Sequence, residues 1–146
     1  MGPGTVVTRR MQSQIDAIYA TALSNYLFHS ACNTLTNGPM AKLKCGIISV
    51  IFVARRTNLD ADGYAHAAAM MDELAAQQEG YIGMDSVRGA DGLGITVSYW
   101  TDEESAKAWR DHPVHAAIRD AGRDRWYSEY SLHVAQVKRS YDWKKP

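Results

Sequence analysis

The chain has 146 residues, 46% hydrophobic and 22% charged, with 16 basic and 16 acidic side chains. That is one domain's worth, enough to bury a core without disulfides or metals. The balanced charge excludes partners held by a basic surface, such as nucleic acid or an anionic membrane. No apolar run reaches the ~20 residues of a membrane span, and Cys32 and Cys45 make no disulfide scaffold.

The first residues, MGPGTVVTRR, lack the basic region, apolar core and cleavage site of a secretory signal. A soluble, cytoplasmic protein with reduced thiols is expected. Met11, Ile15, Ile18, Ala22 and Tyr26 then recur at helical spacing, with Leu23 and Leu27 beside them. This predicts an amphipathic helix over about 8–31. Thr36-Asn37-Gly38-Pro39 breaks the chain just before Met40. Three readings of the 1–39 extension stand side by side. It is an extra helix packing on the domain or on a partner, a start upstream of a natural Met40, or a targeting extension led by Arg9 and Arg10.

From Met40 the elements follow in order. Residues 46–56, GIISVIFVARR, read as a strand rich in β-branched side chains. Asp60 or Asp62 caps a helix through Gln78, with Tyr64, Ala67, Ala68, Met71, Leu74 and Ala75 on one face. Glu79-Gly80 ends it. Strands over 81–88 and 93–100 flank a hairpin at Gly89-Ala90-Asp91-Gly92. Thr101 or Asp102 caps a second helix with Glu103 and Glu104 in its first turn, where the dipole favours acids. Pro113 opens a further helical piece to about Gly122, and residues 130–139 form the last strand. The order β-α-β-β-α-β is the ferredoxin-like arrangement of an α+β fold, with a four-stranded antiparallel sheet.

Two helices cover one face of such a sheet. Yet the first strand is apolar on both parities: Ile47, Ile51 and Val53 on one, Ile48, Val50, Phe52 and Ala54 on the other. A strand with one wet face alternates instead. The second face therefore needs a cover, and a second copy of the chain is favoured over the N-terminal helix.

The candidate site residues cluster late. Trp109, His112, His115 and Arg119 fall roughly on one face if the helix is continuous. The histidines are candidates for a base or hydrogen-bond donor in a substrate pocket, against the plainer reading of satisfied structural histidines. No carboxylate or thiolate cluster beside them has metal-site spacing, so no metal is expected. Arg123 is either a surface partner of Asp120 or Asp124, or a cation facing an anionic oxygen. Trp126 and Tyr127 are wall or core. Tyr99 and Trp100 point to opposite faces of their strand. Arg55, Arg56, Tyr64 and His66 are further candidates for a pocket lining. Phosphate loops, dinucleotide fingerprints and nucleophile elbows are missing.

Over about residues 47–143 the chain resembles the antibiotic biosynthesis monooxygenase domain of the dimeric α/β-barrel superfamily. The residues that carry the resemblance are a glycine and aromatic before the second strand (EGYIGM), the hairpin, SYW, a helix with W-R-x-H-x-x-H, and G-R-x-x-W-Y-x-x-Y. The resemblance implies a homodimer whose sheets pack face to face, with a pocket between sheet and helices in each subunit. It implies oxidation of a small aromatic, quinol or polyketide-type substrate by O2 without metal or flavin. Carried onto this chain, His112 or His115 is the base, Arg123 holds an oxyanion, and Tyr127 donates a hydrogen bond. Trp109 and Trp126 wall the pocket; Tyr64 and Trp100 are further candidates for its lining from their own positions. The family's haem-degrading branch uses an asparagine in the first strand and a histidine ten residues after the helix tryptophan. Here that strand lacks asparagine and the later position is Arg119, which argues against haem degradation. The alternatives are a non-catalytic small-molecule-binding or stress-associated protein on the same fold, or an interaction module whose aromatics are core.

Overall fold

The computed structural model describes residues 46–146. The helix expected over about 8–31 and the boundary at Met40 lie outside the described residues.

The elements are β1 (Ile48–Arg56), α1 (Ala61–Ala76), β2 (Tyr81–Arg88), β3 (Leu93–Trp100), α2 (Glu103–Asp111), α3 (Pro113–Ala121), a π-helical turn (Gly122–Trp126) and β4 (Tyr127–Gln136). The strands form one sheet in the order β2-β3-β1-β4, and each neighbouring pair is antiparallel. This is the expected ferredoxin-like α+β arrangement, with its second helix in two pieces.

Register decides which side chains meet the helices. Ile48 pairs with Trp100, Phe52 with Thr96 and Ala54 with Gly94. Trp100 lies against Trp109 of α2, with ring centroids 6.3 Å apart. The parity of Ile48, Val50, Phe52, Ala54 and Arg56 therefore faces the helices. The other parity, with Ile51, Val53 and Arg55, lies on the opposite face beside Leu93, Ile95 and Val97. On that face Leu93 is 39% exposed, Ile95 40% and Val87 67%. Strand β1 is thus apolar on both sides, as its sequence indicates, and no described helix lies over one of them.

Local chemistry explains the helix starts. The Asp60 carboxylate accepts from the Gly63 N–H, and Asp60 itself sits at φ 48°. Asp102 accepts from both the Ser105 N–H and its hydroxyl, each at 2.7 Å. These bonds satisfy amides that the first turn leaves free. The Asp102 carboxyl is held below its ordinary range by the Ser105 N–H first and the Thr101 hydroxyl next.

Two expectations are corrected, and the end of α3 is explained. The stripe of Trp109, His112, His115 and Arg119 is not on one continuous helix: α2 ends at Asp111, and His112 adopts φ −57°, ψ 128°. A residue before proline is pushed out of the helical region, so Pro113 both breaks one helix and starts the next. As the sequence indicates, α3 ends at Gly122, its C-cap, which keeps a helical φ of −62°. A Cβ there would sit 2.8 Å from the Tyr127 ring, so glycine permits close packing. Finally, β4 starts at Tyr127, earlier than residue 130, because Tyr127 already pairs with Arg56 beyond a register shift at Arg55/Arg56.

Candidate functional site

The residues singled out in the sequence fall into two groups on the helix side of the sheet. The first is Trp100, Trp109, His112 and His115. Trp100 ends β3 with 0% of its surface exposed. Its indole N–H donates to Ser98 Oγ at 3.0 Å, and Tyr81 meets it edge-on at 5.4 Å. Trp100 is therefore a floor with no surface of its own to offer a ligand. Trp109 lies above it at the end of α2. The His115 ring stacks on Trp109 almost in parallel, with centroids 4.6 Å apart and planes 5° apart. His112 tilts against the same indole at 5.6 Å.

The chain break at His112 creates this stack. Trp109 and His115 are six positions apart, which on one helix would leave them more than a turn apart. With the chain redirected at Pro113, the His115 ring swings back under the end of α2. Its Nδ1 lies 2.9 Å from the Trp109 carbonyl. A carbonyl only accepts, so Nδ1 carries the hydrogen and the neutral ring keeps its lone pair on Nε2. Burial pushes the His115 pKa below its ordinary 6.5; the Trp109 carbonyl pulls it back up, and Arg119 pushes it down again. The net effect is an imidazole that stays neutral at neutral pH. The Nδ1 of His112 is buried without a hydrogen-bond partner among the described residues, which is uncommon for a polar atom.

The second group is Tyr64, Trp126 and Tyr127. The π-helical turn positions the latter two. The Thr57 N–H donates to the Trp126 carbonyl at 2.9 Å, and the Thr57 hydroxyl to the Arg125 carbonyl at 2.7 Å. The Trp126 indole N–H donates to Asp60 at 3.3 Å. Tyr64, from the first turns of α1, meets Trp126 edge-on at 5.8 Å and Tyr127 at 6.2 Å. Tyr127 also packs edge-on to Phe52 at 5.3 Å. Burial first, and the neighbouring Tyr64 phenol next, push the Tyr127 hydroxyl well above its ordinary pKa, so it remains a donor at neutral pH.

Two arginines join this group. Arg56 lies 3.8 Å above the centre of the Tyr64 ring. Arg88 donates to the Tyr64 hydroxyl at 2.9 Å and to the Gly92 carbonyl at 2.8 Å. The sequence offered Arg56 as one of several candidates for a pocket lining, undistinguished from Arg55, and did not single out Arg88. Parity was the available signal: Arg56 shares the side of Phe52, whereas Arg55 does not. A second signal is Gly94, opposite Arg88, where a Cβ would sit 2.6 Å from the guanidinium carbon.

Arg123 stands apart from the histidines. Its side chain is 54% exposed and bonds Asp120 at 3.3 Å and the Tyr130 hydroxyl at 2.8 Å. Tyr130 in turn packs on Phe52 at 5.3 Å. Among the described residues no three His, Cys, Asp or Glu side chains are grouped to hold a metal ion. No described helix is long and apolar enough to cross a membrane.

Comparison with known proteins places this architecture. Residues 57–121 match the family model for antibiotic biosynthesis monooxygenase. The chain is 45% identical over 91 residues to the uncharacterized protein YqjZ of Bacillus subtilis, covering 62% of this chain and 79% of that one. It is 30% identical over 98 residues to the jasmonate monooxygenase ABM of Pyricularia oryzae, across 64% of this chain but only 45% of that protein. Among solved structures, SnoaB of Streptomyces nogalater, described as a cofactor-independent oxygenase, superimposes with a TM-score of 0.57. The match has 14% identity and covers 66% of this chain and 97% of SnoaB. The fold, the family match and the YqjZ identity agree: this chain belongs to the antibiotic biosynthesis monooxygenase family.

Proposed function

We propose that this protein is a cofactor-independent monooxygenase that oxidises a small aromatic, quinol or polyketide-type molecule with O2. Family membership supports the reaction class. The observation that carries the reading is the His115 imidazole. It is held neutral by burial, with Nδ1 committed to the Trp109 carbonyl and Nε2 left as the base.

The chemistry closes without a cofactor. His115 Nε2 takes a proton from a phenol or from a methylene beside an aromatic ketone. The resulting electron-rich anion passes an electron to O2. The two radicals combine to form a carbon–oxygen bond, and the peroxide takes up a proton. Loss of water then leaves a carbonyl. For a methylene the sum is CH2 + O2 → C=O + H2O, with four electrons leaving carbon and four reaching oxygen. The indole of Trp109 holds the base in place, stacked with His115 at 4.6 Å and with Trp100 at 6.3 Å, and a site closed to water by substrate would strengthen each electrostatic contact. In this reading Tyr127 is a hydrogen-bond donor, Trp126 and Tyr64 line the substrate, Trp100 supports Trp109, and His112 assists on the same side. Arg123 acts through Tyr130 on the outer edge.

Oxygen uptake by metal-free protein on a panel of anthrones and quinols tests this. One O2 consumed per substrate, with water as the co-product, is expected. If no panel member turns over, the reading as a non-catalytic small-molecule binder is favoured. The structural bond of His115 to the end of α2 is the observation that favours that second reading.

The proposed enzyme is a cytoplasmic homodimer, with the family domain over 40–146. The second copy covers the face over which no described helix lies, where exposed Leu93, Ile95 and Val87 form an apolar strip. Light scattering should give twice the chain mass of 16.2 kDa. Ile95→Glu, which places a charge in the middle of that strip, should give the single-chain mass. A wild-type protein of single-chain mass at micromolar concentration rules the dimer out.

A further inference from the structure

The guanidiniums of Arg56 and Arg88 share one phenol, Tyr64, and neither has a carboxylate partner among the described residues. Arg56 makes its contact through the ring face, at 3.8 Å. Its Nε is buried with no hydrogen-bond partner among those residues. Arg88 bonds to the Tyr64 hydroxyl and the Gly92 carbonyl. The neighbouring Arg55 behaves in the ordinary way, pairing with Asp91 at 3.2 Å and Glu129 at 3.3 Å on the opposite face. The carboxylate of Asp60 is already taken by the Gly63 N–H, the Trp126 indole and Arg125 at 3.7 Å.

Two like charges brought to one ring repel each other, and each leaves N–H donors unused. A cluster meant only for packing would be more stable with one of them apolar or paired. The surroundings are nevertheless shaped for them. Gly94 leaves room for the Arg88 guanidinium. The Gly92 carbonyl and the Tyr64 hydroxyl then orient it. Tyr127 feels both arginines, which stabilise its ionised form. Around the pair stand aromatic rings: Tyr64, Tyr127 and Phe52.

We propose that Arg56, Arg88 and the Tyr64 and Tyr127 phenols form a binding site for a small planar aromatic carboxylate. The planar guanidinium fork fits a carboxylate in a bidentate manner. The ring of the ligand lies against the tyrosine and Phe52 edges, which favour offset or edge-on contact. This goes beyond the oxygenase reading and does not depend on it, since binding is measured without oxygen or turnover.

The test is NMR of the arginine Nε–H groups in the full chain, titrated with benzoate, benzamide and inorganic phosphate. Benzoate should shift the Arg56 and Arg88 signals saturably, while benzamide, the neutral isostere, should not. Phosphate should bind at least about tenfold more weakly, because it lacks the ring. Arg56→Gln should weaken benzoate at least about tenfold, Arg56→Lys less, and Arg55→Gln not at all. Three wild-type results each overturn the proposal: no benzoate shift, equal binding of benzamide, or equal binding of phosphate. These hold even if Arg56→Gln fails to fold. In that case Arg88→Lys, which keeps the charge but loses the fork, should weaken benzoate, and unchanged affinity also overturns it.

Discussion

His115→Ala is expected to lower turnover by about 100- to 10,000-fold, the span that a positioned general base contributes. Alanine also removes the bond to the Trp109 carbonyl, so loss of activity alone would not separate chemistry from architecture. His115→Gln does. A glutamine amide can still donate to that carbonyl, but it cannot accept a proton at pH 7. Rates should fall about as far in His115→Gln as in His115→Ala, with a smaller loss of unfolding stability. Unchanged rates in His115→Gln would sink the base assignment, and His112→Ala then tests the other imidazole.

The pH dependence has a definite sign. Burial lowers the His115 pKa below 6.5 in the folded protein. The base is therefore neutral and competent at pH 7, and kcat should fall on acidification, with a limb below pH 6.5 that disappears in His115→Gln. Stability follows the same direction. The unfolded chain takes up this proton before the folded one does. Its contribution is complete above 6.5 and is lost as pH falls through the folded value. Urea midpoints should drop in acid more for wild type than for His115→Gln.

Trp100→Ala should be the most destabilising single change, by about 3–5 kcal/mol, as for other buried large-to-small substitutions of this kind. Trp100 has no exposed surface and meets Tyr81 and Trp109. Its removal leaves a cavity beneath the His115–Trp109 stack. Urea unfolding measures the loss. Trp100→Phe keeps part of the volume and gives up the indole N–H bond to Ser98, so it should lose less. A loss below about 1 kcal/mol for Trp100→Ala would show that the end of α2 collapses freely onto the sheet. It would also show that the stack does not depend on its floor.

The elements were readable because their signals are local. A β-branched run, acid caps at Asp60 and Asp102, the turn over 89–92 and Pro113 each act within a few residues. The strand limits of β2 and β3 agree with the sequence reading to the residue. What failed was the reach of periodicity across a break. Trp109, His112 and His115 are neighbours as expected, but not as a helical stripe. They meet because His112 is forced out of the helical region and α3 folds back. Of the two readings open for Arg123, the surface pairing with Asp120 is the one realised. The π-helical turn puts it on the surface beside Asp120 and Tyr130, a local geometry that composition does not announce.

By itself, then, the sequence determined the order of elements, the two-sided apolar character of β1 and the residue types available for oxygen chemistry. Alternation along a strand and capping at a helix end are short-range effects, and short-range effects are written in neighbouring residues. Only the tertiary structure decided which imidazole nitrogen keeps its lone pair, because that depends on where a carbonyl six residues back comes to lie. It also decided that Arg56 and Arg88, 32 positions apart, share Tyr64. Strand register aligns Arg88 with Gly94 and Gly94 with Ala54, and no local pattern encodes that alignment.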